Sequence, residues 1–311
     1  MKIPKGGVAF FDSGIGGLTV LQECRKLFPN EIFYYYGDND RAPYGNLSPN
    51  LIRAYVQEAF DLFEKLNVRA AVVACNTVTA LCIEELRTHY KFPIIGAEPA
   101  ILPAAYNGGE VFVLTTRATY ESERFKKLCS KARVRYPCLN LQAKPCDDLA
   151  GVIEKNLMNK GFDFSCYLPQ GAPSAVVLGC THYIYIKEII RKFYGCRVYD
   201  GNEGIARRLR AKIPSFEKIL SSNLSKDIKI WDARPPTISK ACFDGIFLSE
   251  TEMLSEKQID DKKTNKCLRS KMQKWGEFHK KRYEKGVFFV GSGKKINANI
   301  YKQMFVFPSK N

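Results

Sequence analysis

Histidine is the scarcest chemistry-bearing residue here, with three in 311 residues, too few and too scattered for an obvious metal site. The 11 cysteines contain no Cys-x-x-Cys pair, so neither a zinc site nor a redox dithiol motif is indicated. No apolar run approaches the roughly 18 residues of a membrane span. The opening residues Met1 to Gly7 lack the apolar core of a secretion signal, so the expected location is cytoplasmic. In that compartment the thiols stay reduced, and most serve as small hydrophobes. The glycine-rich stretch Asp12-Ser13-Gly14-Ile15-Gly16-Gly17 does not have Gly-x-Gly-x-x-Gly spacing, which excludes the dinucleotide fingerprint.

The composition, 45% hydrophobic and 26% charged, is that of a globular protein with a sizeable core. The net charge of +16 is uneven: residues 1–209 carry 26 basic and 21 acidic side chains, residues 210–311 carry 22 and 11. Pro235-Pro236 and the lysine-rich stretch 257–285, within about 215–285, read as an insertion. That segment has no recognised nucleic-acid motif, and a lysine-rich run ordinarily forms a solvated face.

Through residue 209, short β-rich runs alternate with helix-like ones, the mark of βαβ units and parallel sheet. Val8–Phe11, Ile32–Tyr36 and Ala70–Ala74 read as strands, with helices at 18–28 (closed by Pro29), 49–66 and 77–90. Glu110–Leu114 and Ser174–Leu178 are further strands, the latter running through Gly179-Cys180-Thr181-His182 into a helix-like run. Gly286 to Gly293 reads as strand and loop, followed by a helix-like tail. Asp12 precedes Cys75 by 63 residues and Thr116 precedes Cys180 by 64, while Ala71-Val72-Val73-Ala74 parallels Ala175-Val176-Val177-Leu178. These matches indicate an internal duplication.

Ligands of open parallel sheets bind beyond the carboxyl ends of the strands. Cys75 and Cys180 fall there, each at a strand-to-helix junction where a helix N-terminus favours a thiolate. Two facing thiols suit stereoinversion, one taking a proton from a carbon as the other supplies one. Asp12 is placed to serve Cys75 and His182 to serve Cys180. The bland alternatives are a buried packing role for the cysteines, a cap for Asp12 and a surface role for His182. Asn76, Thr77 and Thr181 suit either helix capping or an anionic substrate. Arg41-Ala42-Pro43-Tyr44-Gly45 is a tight turn, either punctuation or a wall of the site.

The motifs Phe11-Asp12-Ser13-Gly14-Ile15-Gly16-Gly17-Leu18-Thr19-Val20, Tyr36-Gly37-Asp38 with Pro43-Tyr44-Gly45, Ala74-Cys75-Asn76-Thr77 and Leu178-Gly179-Cys180-Thr181-His182-Tyr183 resemble the glutamate racemases of the aspartate/glutamate racemase superfamily. The resemblance covers about 7–209 and resumes at about 287–305. It implies an α/β fold of two pseudo-symmetric domains, each a mostly parallel sheet flanked by helices, with the active site in the cleft between them. The first domain would comprise 1–97 plus 206–311 and the second 98–205.

It also implies interconversion of L- and D-glutamate without metal or cofactor, supplying D-glutamate for peptidoglycan. Catalysis would fall to Cys75, Cys180, Asp12 and His182, with Cys75 acting on D-glutamate and Cys180 on L-glutamate. Substrate binding would fall to Ser13, Pro43, Tyr44, Gly45, Asn76, Thr77, Thr116, Thr119 and Thr181; Asp38 and Glu154 match further family acids. Arg117 and Ile184 stand where the family usually has proline, and Asp200-Gly201-Asn202-Glu203 is only similar to its Asp-Ser-x-Glu. The rival readings are a racemase of aspartate or another amino acid and, in a different class, a nucleic-acid-binding protein using the basic insertion. Glutamate is the expected partner; neither a membrane nor nucleic acid is, and a homodimer is left open.

Overall fold

The computed structural model describes residues 6–28, 31–106, 108–159 and 161–213, together with the backbone of 229–230 and 287–290. Pro29, the remainder of the lysine-rich insertion, the loop after Val290 and the tail lie outside the described residues.

Strand β1 (Val8–Asp12) is followed by α1 (Leu18–Leu27), β2 (Phe33–Gly37), α2 (Pro49–Lys65), β3 (Ala70–Val73), α3 (Asn76–His89) and β4 (Ile94–Gly96). Every residue of these four strands is buried, as a sheet covered by helices on both faces requires. Ser48 caps α2 by accepting from the Leu51 N–H at 3.4 Å, and Pro49 follows at the first helical position. Ile52, Val56, Ala59, Phe60 and Phe63 then bury one face of that helix.

A second run comprises α4 (Ile101–Ala105), β5 (Gly109–Thr115), α5 (Arg117–Glu121), α6 (Glu123–Arg135), β6 (Leu139–Pro145) and α7 (Leu149–Asn156). It continues through β7 (Ala175–Gly179), α8 (Lys187–Tyr194) and β8 (Arg197–Tyr199). Helix α9 (Asn202–Lys212) then returns to pack on α1. β9 (Lys229–Ile230) and β10 (Val287–Val290) extend the first sheet beyond β2.

The strand orders are β4-β3-β1-β2-β10-β9 and β6-β5-β7-β8, with every pairing parallel. Read as β8-β7-β5-β6, the second sheet repeats the first four strands of the other. β5 therefore corresponds to β1 and β7 to β3, the correspondence expected from the 63- and 64-residue spacings. The chain forms two α/β lobes.

Two sequence expectations are corrected. Helix α3 starts at Asn76, with Cys75 at its N-cap position, so Asn76 and Thr77 lie inside the first turn instead of capping it. After Cys180 the chain makes a 3-10 turn, Thr181–Ile186, and α8 begins only at Lys187. Cys180 thus lacks the α-helix N-terminus that Cys75 has.

Candidate active site between the lobes

Asp12 closes β1 and Cys75 follows β3, its immediate neighbour in the sheet; the Ala74 N–H donates to the Phe11 carbonyl at 2.8 Å, bringing the two strand ends together. In the other lobe Thr115 ends β5 and Gly179 ends β7, directly paired, with Thr116 and Cys180 just beyond. Glycine permits this approach, because a Cβ on Gly179 would lie 2.7 Å from the Thr115 Cγ2.

Asp12 and Thr181 join the lobes. The Thr181 hydroxyl donates to Asp12 Oδ1 at 3.2 Å, and the Gly14 N–H donates to Oδ2 at 3.2 Å. Burial pushes the Asp12 carboxyl up to about 6, against the nearby His182 charge and the Gly17, Gly14 and Thr181 hydrogen bonds. A Cβ on Gly16 would fall 2.3 Å from the Thr181 Oγ1. Gly16→Ala should therefore push the lobes apart at this point and lower turnover by about tenfold or more, since small misplacements cost heavily in a two-group mechanism. Unchanged turnover in steady-state assays would contradict that reading of the contact.

The two sulfurs stand in different surroundings. Cys75 is 5% exposed and Cys180 is 7% exposed, so both are enclosed. Cys75 Sγ lies 3.6 Å from the Ser13 hydroxyl. Burial, together with the Asp12 charge, pushes its thiol up to about 12; the Val78 N–H and Ser13 only partly oppose this, and the charge of Cys180 adds to the rise. The sequence suggests a helix N-terminus favouring the thiolate; on this side burial outweighs it and carries the pKa up.

Cys180 has a cationic neighbour. Its Sγ is 3.8 Å from His182 Nδ1, and His182 Nε2 is 3.2 Å from Glu154 Oε2. Burial lowers the His182 pKa, but the hydrogen bonds to Cys180 and Glu154 outweigh it and hold the imidazole well above its ordinary value. Glu154, on α7, is brought to the site through its contact with His182.

The threonines assemble across the cleft. The hydroxyls of Thr77 and Thr116 are 2.9 Å apart, those of Thr77 and Thr119 3.4 Å, and Thr116 donates to Thr119 at 3.0 Å. Thr77 belongs to the first lobe and the other two to the second. Gly45 abuts the same group, a Cβ there lying 3.0 Å from the Thr116 Cβ. Pro43, whose peptide bond with Ala42 is cis, lies beside Gly151 of α7.

Tyr44 is buried and donates to Asp38, which also accepts from Arg41 Nε at 2.9 Å. Phe11 packs against both Tyr36 and Tyr44, anchoring this wall to β1. Asn76 is buried beside Cys75 in the first turn of α3. The thirteen candidate residues thus lie at the strand ends, in the turns that follow them or in the first turns of α3 and α5.

Two supports were not legible as functional residues. The Tyr35 hydroxyl donates to the Gly14 carbonyl at 2.7 Å, and the Tyr185 hydroxyl to the Ile15 carbonyl at 2.6 Å. They hold the glycine loop from opposite lobes. Tyr35 sits within Phe-Tyr-Tyr-Tyr, a pattern indistinguishable from ordinary strand core, and nothing local marks Tyr185.

Among the described residues, no group of three or more His, Cys, Asp and Glu side chains is arranged to hold a metal ion, and no helix is long and apolar enough to cross a membrane. The nine cysteines among them are free thiols. A cavity of about 200 Å³ between α2 and α3, lined in part by Arg53, Cys82, Glu85 and His89, includes none of the candidate residues.

Residues 19–209 match the family model described as Asp/Glu/hydantoin racemase. The glutamate racemase of Clostridium novyi (strain NT) is 37% identical over 245 residues, 75% of this chain and 93% of that protein. The structure resembles that of the Francisella tularensis glutamate racemase in complex with D-glutamate, with a TM-score of 0.58 and 27% identity over 67% of this chain and 81% of that one. It also resembles the Escherichia coli glutamate racemase in complex with L-glutamate and the activator UDP-MurNAc-Ala, with a TM-score of 0.62 and 25% identity over 92% and 99%. A parallel two-lobe fold of this kind has a clear place among known proteins, and the chain belongs to the Asp/Glu/hydantoin racemase family. Within that family it is an amino-acid racemase, an isomerase.

Proposed function

We propose that this racemase interconverts L- and D-glutamate by a two-thiol acid/base mechanism, and that the two lobes correspond to residues 1–97 plus 206–311 and 98–205. The observation that carries the mechanism is the pairing of Cys75 and Cys180 at duplicated strand ends across one cleft, each with its own polar helper.

In the free enzyme the proton rests on Cys75, whose buried thiol is hard to ionise. Cys180 acts as the base toward L-glutamate, beside the His182 ring that Glu154 holds in place. L-Glutamate then loses its α-proton to Cys180 while the Cys75 thiol gives its proton to the opposite face. The product is D-glutamate, with the proton transferred to the Cys180 side, and the reverse reaction exchanges the roles. Ser13, Asn76, Thr77, Thr116, Thr119 and Thr181 offer hydrogen bonds to the substrate's carboxylates and ammonium, with Pro43, Tyr44 and Gly45 as a wall. The D-glutamate would supply peptidoglycan synthesis, and hence cell-wall biogenesis and cell shape, from the cytoplasm.

Circular dichroism of L-glutamate and L-aspartate incubated with the enzyme tests the substrate. Glutamate should racemise and aspartate should not; turnover of aspartate alone would transfer the proposal to the aspartate branch.

Asp12 gives a second test. Its carboxyl is ionised at neutral pH although burial raises it from 3.8 to about 6, a penalty of about 3 kcal/mol. The folded protein holds this proton more tightly than the unfolded chain. Stability from this group is therefore lost as pH rises from about 4 to about 6, and the deficit is constant above that. Asp12→Asn should raise Tm at pH 7 while lowering kcat/KM by about 100-fold. The wild-type kcat/KM should fall below pH about 6 as Asp12 takes up its proton. A variant that melts earlier yet turns over normally would contradict both expectations.

A further inference from the structure

A ladder of four charged side chains crosses between the lobes, away from the reacting groups. Arg124, in the first turn of α6, places Nη1 on Glu84 Oε1 and Nη2 on Glu98 Oε1, the latter at 2.6 Å. The other oxygen of Glu98 lies 3.6 Å from Arg208 Nη1.

The members come from four parts of the fold. Glu84 is on α3, the helix that starts immediately after Cys75. Glu98 lies in the segment crossing from β4 toward the second lobe, and Arg208 is on α9, which packs on α1. Arg124 is the second lobe's contribution, reached from Thr116 through α5. The Arg124 and Glu98 side chains are only 29% and 22% exposed. At Glu98 the two chain crossings also touch, since a Cβ on Gly201 would lie 3.0 Å from its carbonyl oxygen.

Isolated surface ion pairs contribute little, but a planar fork that grips two carboxylates at once, in a partly enclosed place, fixes geometry as well as charge. Resting on the two-thiol reading above, we propose that Arg124 is a positioning residue that sets the angle between the lobes and, through it, the spacing of Cys75 and Cys180 about one carbon. It touches no substrate. Its effect runs along α3 to Cys75 on one side and along α5 to Thr116 on the other. A lysine there has one compact ammonium and cannot engage both carboxylates in the same geometry.

The test is the full-length enzyme with Arg124→Gln and Arg124→Lys, assayed on both glutamate enantiomers in deuterated water. Arg124→Gln should lower kcat about tenfold in both directions with KM changed less than about threefold, because alignment and not binding is lost. Arg124→Lys should lie between it and wild type.

Deuterium should also appear in recovered substrate of unchanged configuration. A thiol that has taken the α-proton exchanges it with solvent, then returns a deuteron to the same face when the opposite thiol is out of place. A merely structural role would not produce that label. If Arg124→Gln does not fold, Glu84→Gln and Glu98→Gln, singly and together, carry the same readouts. Wild-type kcat with no label in recovered substrate, in whichever variants fold, overturns the role of Arg124. Failure of wild type to racemise glutamate would instead remove the underlying reading.

Discussion

Cys75→Ala and Cys180→Ala should each reduce glutamate racemisation by about 10⁴-fold or more, in both directions, because inversion needs a base on one face and an acid on the other in the same turnover. Ser13 is the hydroxyl beside Cys75, but it is not basic enough to take over, and the group beside Cys180 is a histidine already held in its protonated form. Cys82→Ala is the matched control: Cys82 is also a buried thiol on α3, but it faces the cavity between α2 and α3. It should turn over within a few-fold of wild type. Steady-state assays of the three purified variants, with melting curves to show that each is folded, decide the matter. Substantial turnover by either of the first two would remove its cysteine from the chemistry.

His182→Asn should lower kcat/KM by about 100- to 1,000-fold. The imidazolium 3.8 Å from Cys180 favours the thiolate there, and asparagine keeps a polar group but no charge. The enantiomers have equal free energy, so kcat/KM must fall equally in both directions, whereas kcat need not. Alkylation at pH 7, followed by peptide mass spectrometry, gives an independent readout. In wild type Cys180 should react before Cys75 although both are similarly enclosed, and in His182→Asn that preference should disappear. The raised folded-state pKa of His182 contributes stability fully present below the ordinary 6.5 and lost as pH rises through the folded value. The variant's stability deficit should accordingly shrink at high pH. Equal alkylation of both thiols in wild type would show that His182 does not set the difference.

The fold was legible because its signals are local: apolar strands, glycine-rich strand ends and helical periodicity, repeated at matching intervals. The repeat placed Asp12 against Thr116 and Cys75 against Cys180, and the strand orders follow that correspondence. The placement of Cys75 and Cys180 at equivalent strand ends was legible for the same reason, since residues at strand ends converge on one edge of a parallel sheet.

What could not be read depends on how the lobes dock. The hydroxyl cluster of Thr77, Thr116 and Thr119 forms only when residues about forty positions apart meet across the cleft. The contact between Asp12 and Thr181 spans 169 positions, and sequence reasoning had assigned Asp12 to Cys75 alone. The 3-10 turn after Cys180 was missed because Thr-His-Tyr-Ile-Tyr-Ile carries no helix-breaking residue. Arg117 forms an exposed ion pair with Asp147, a partner that local sequence does not disclose.

Solvent labelling of the wild-type enzyme bears most directly on the claim that opposite faces of one carbon are served by separate sulfurs. L-Glutamate should be incubated in deuterated water, stopped after a small fraction has turned over, and each enantiomer analysed by mass spectrometry. The account predicts α-deuterium in the D-glutamate formed and none in the L-glutamate remaining, because the proton taken and the deuteron given reside on different thiols. Deuterium at equal levels in both enantiomers would mean that one group serves both faces, and would contradict it.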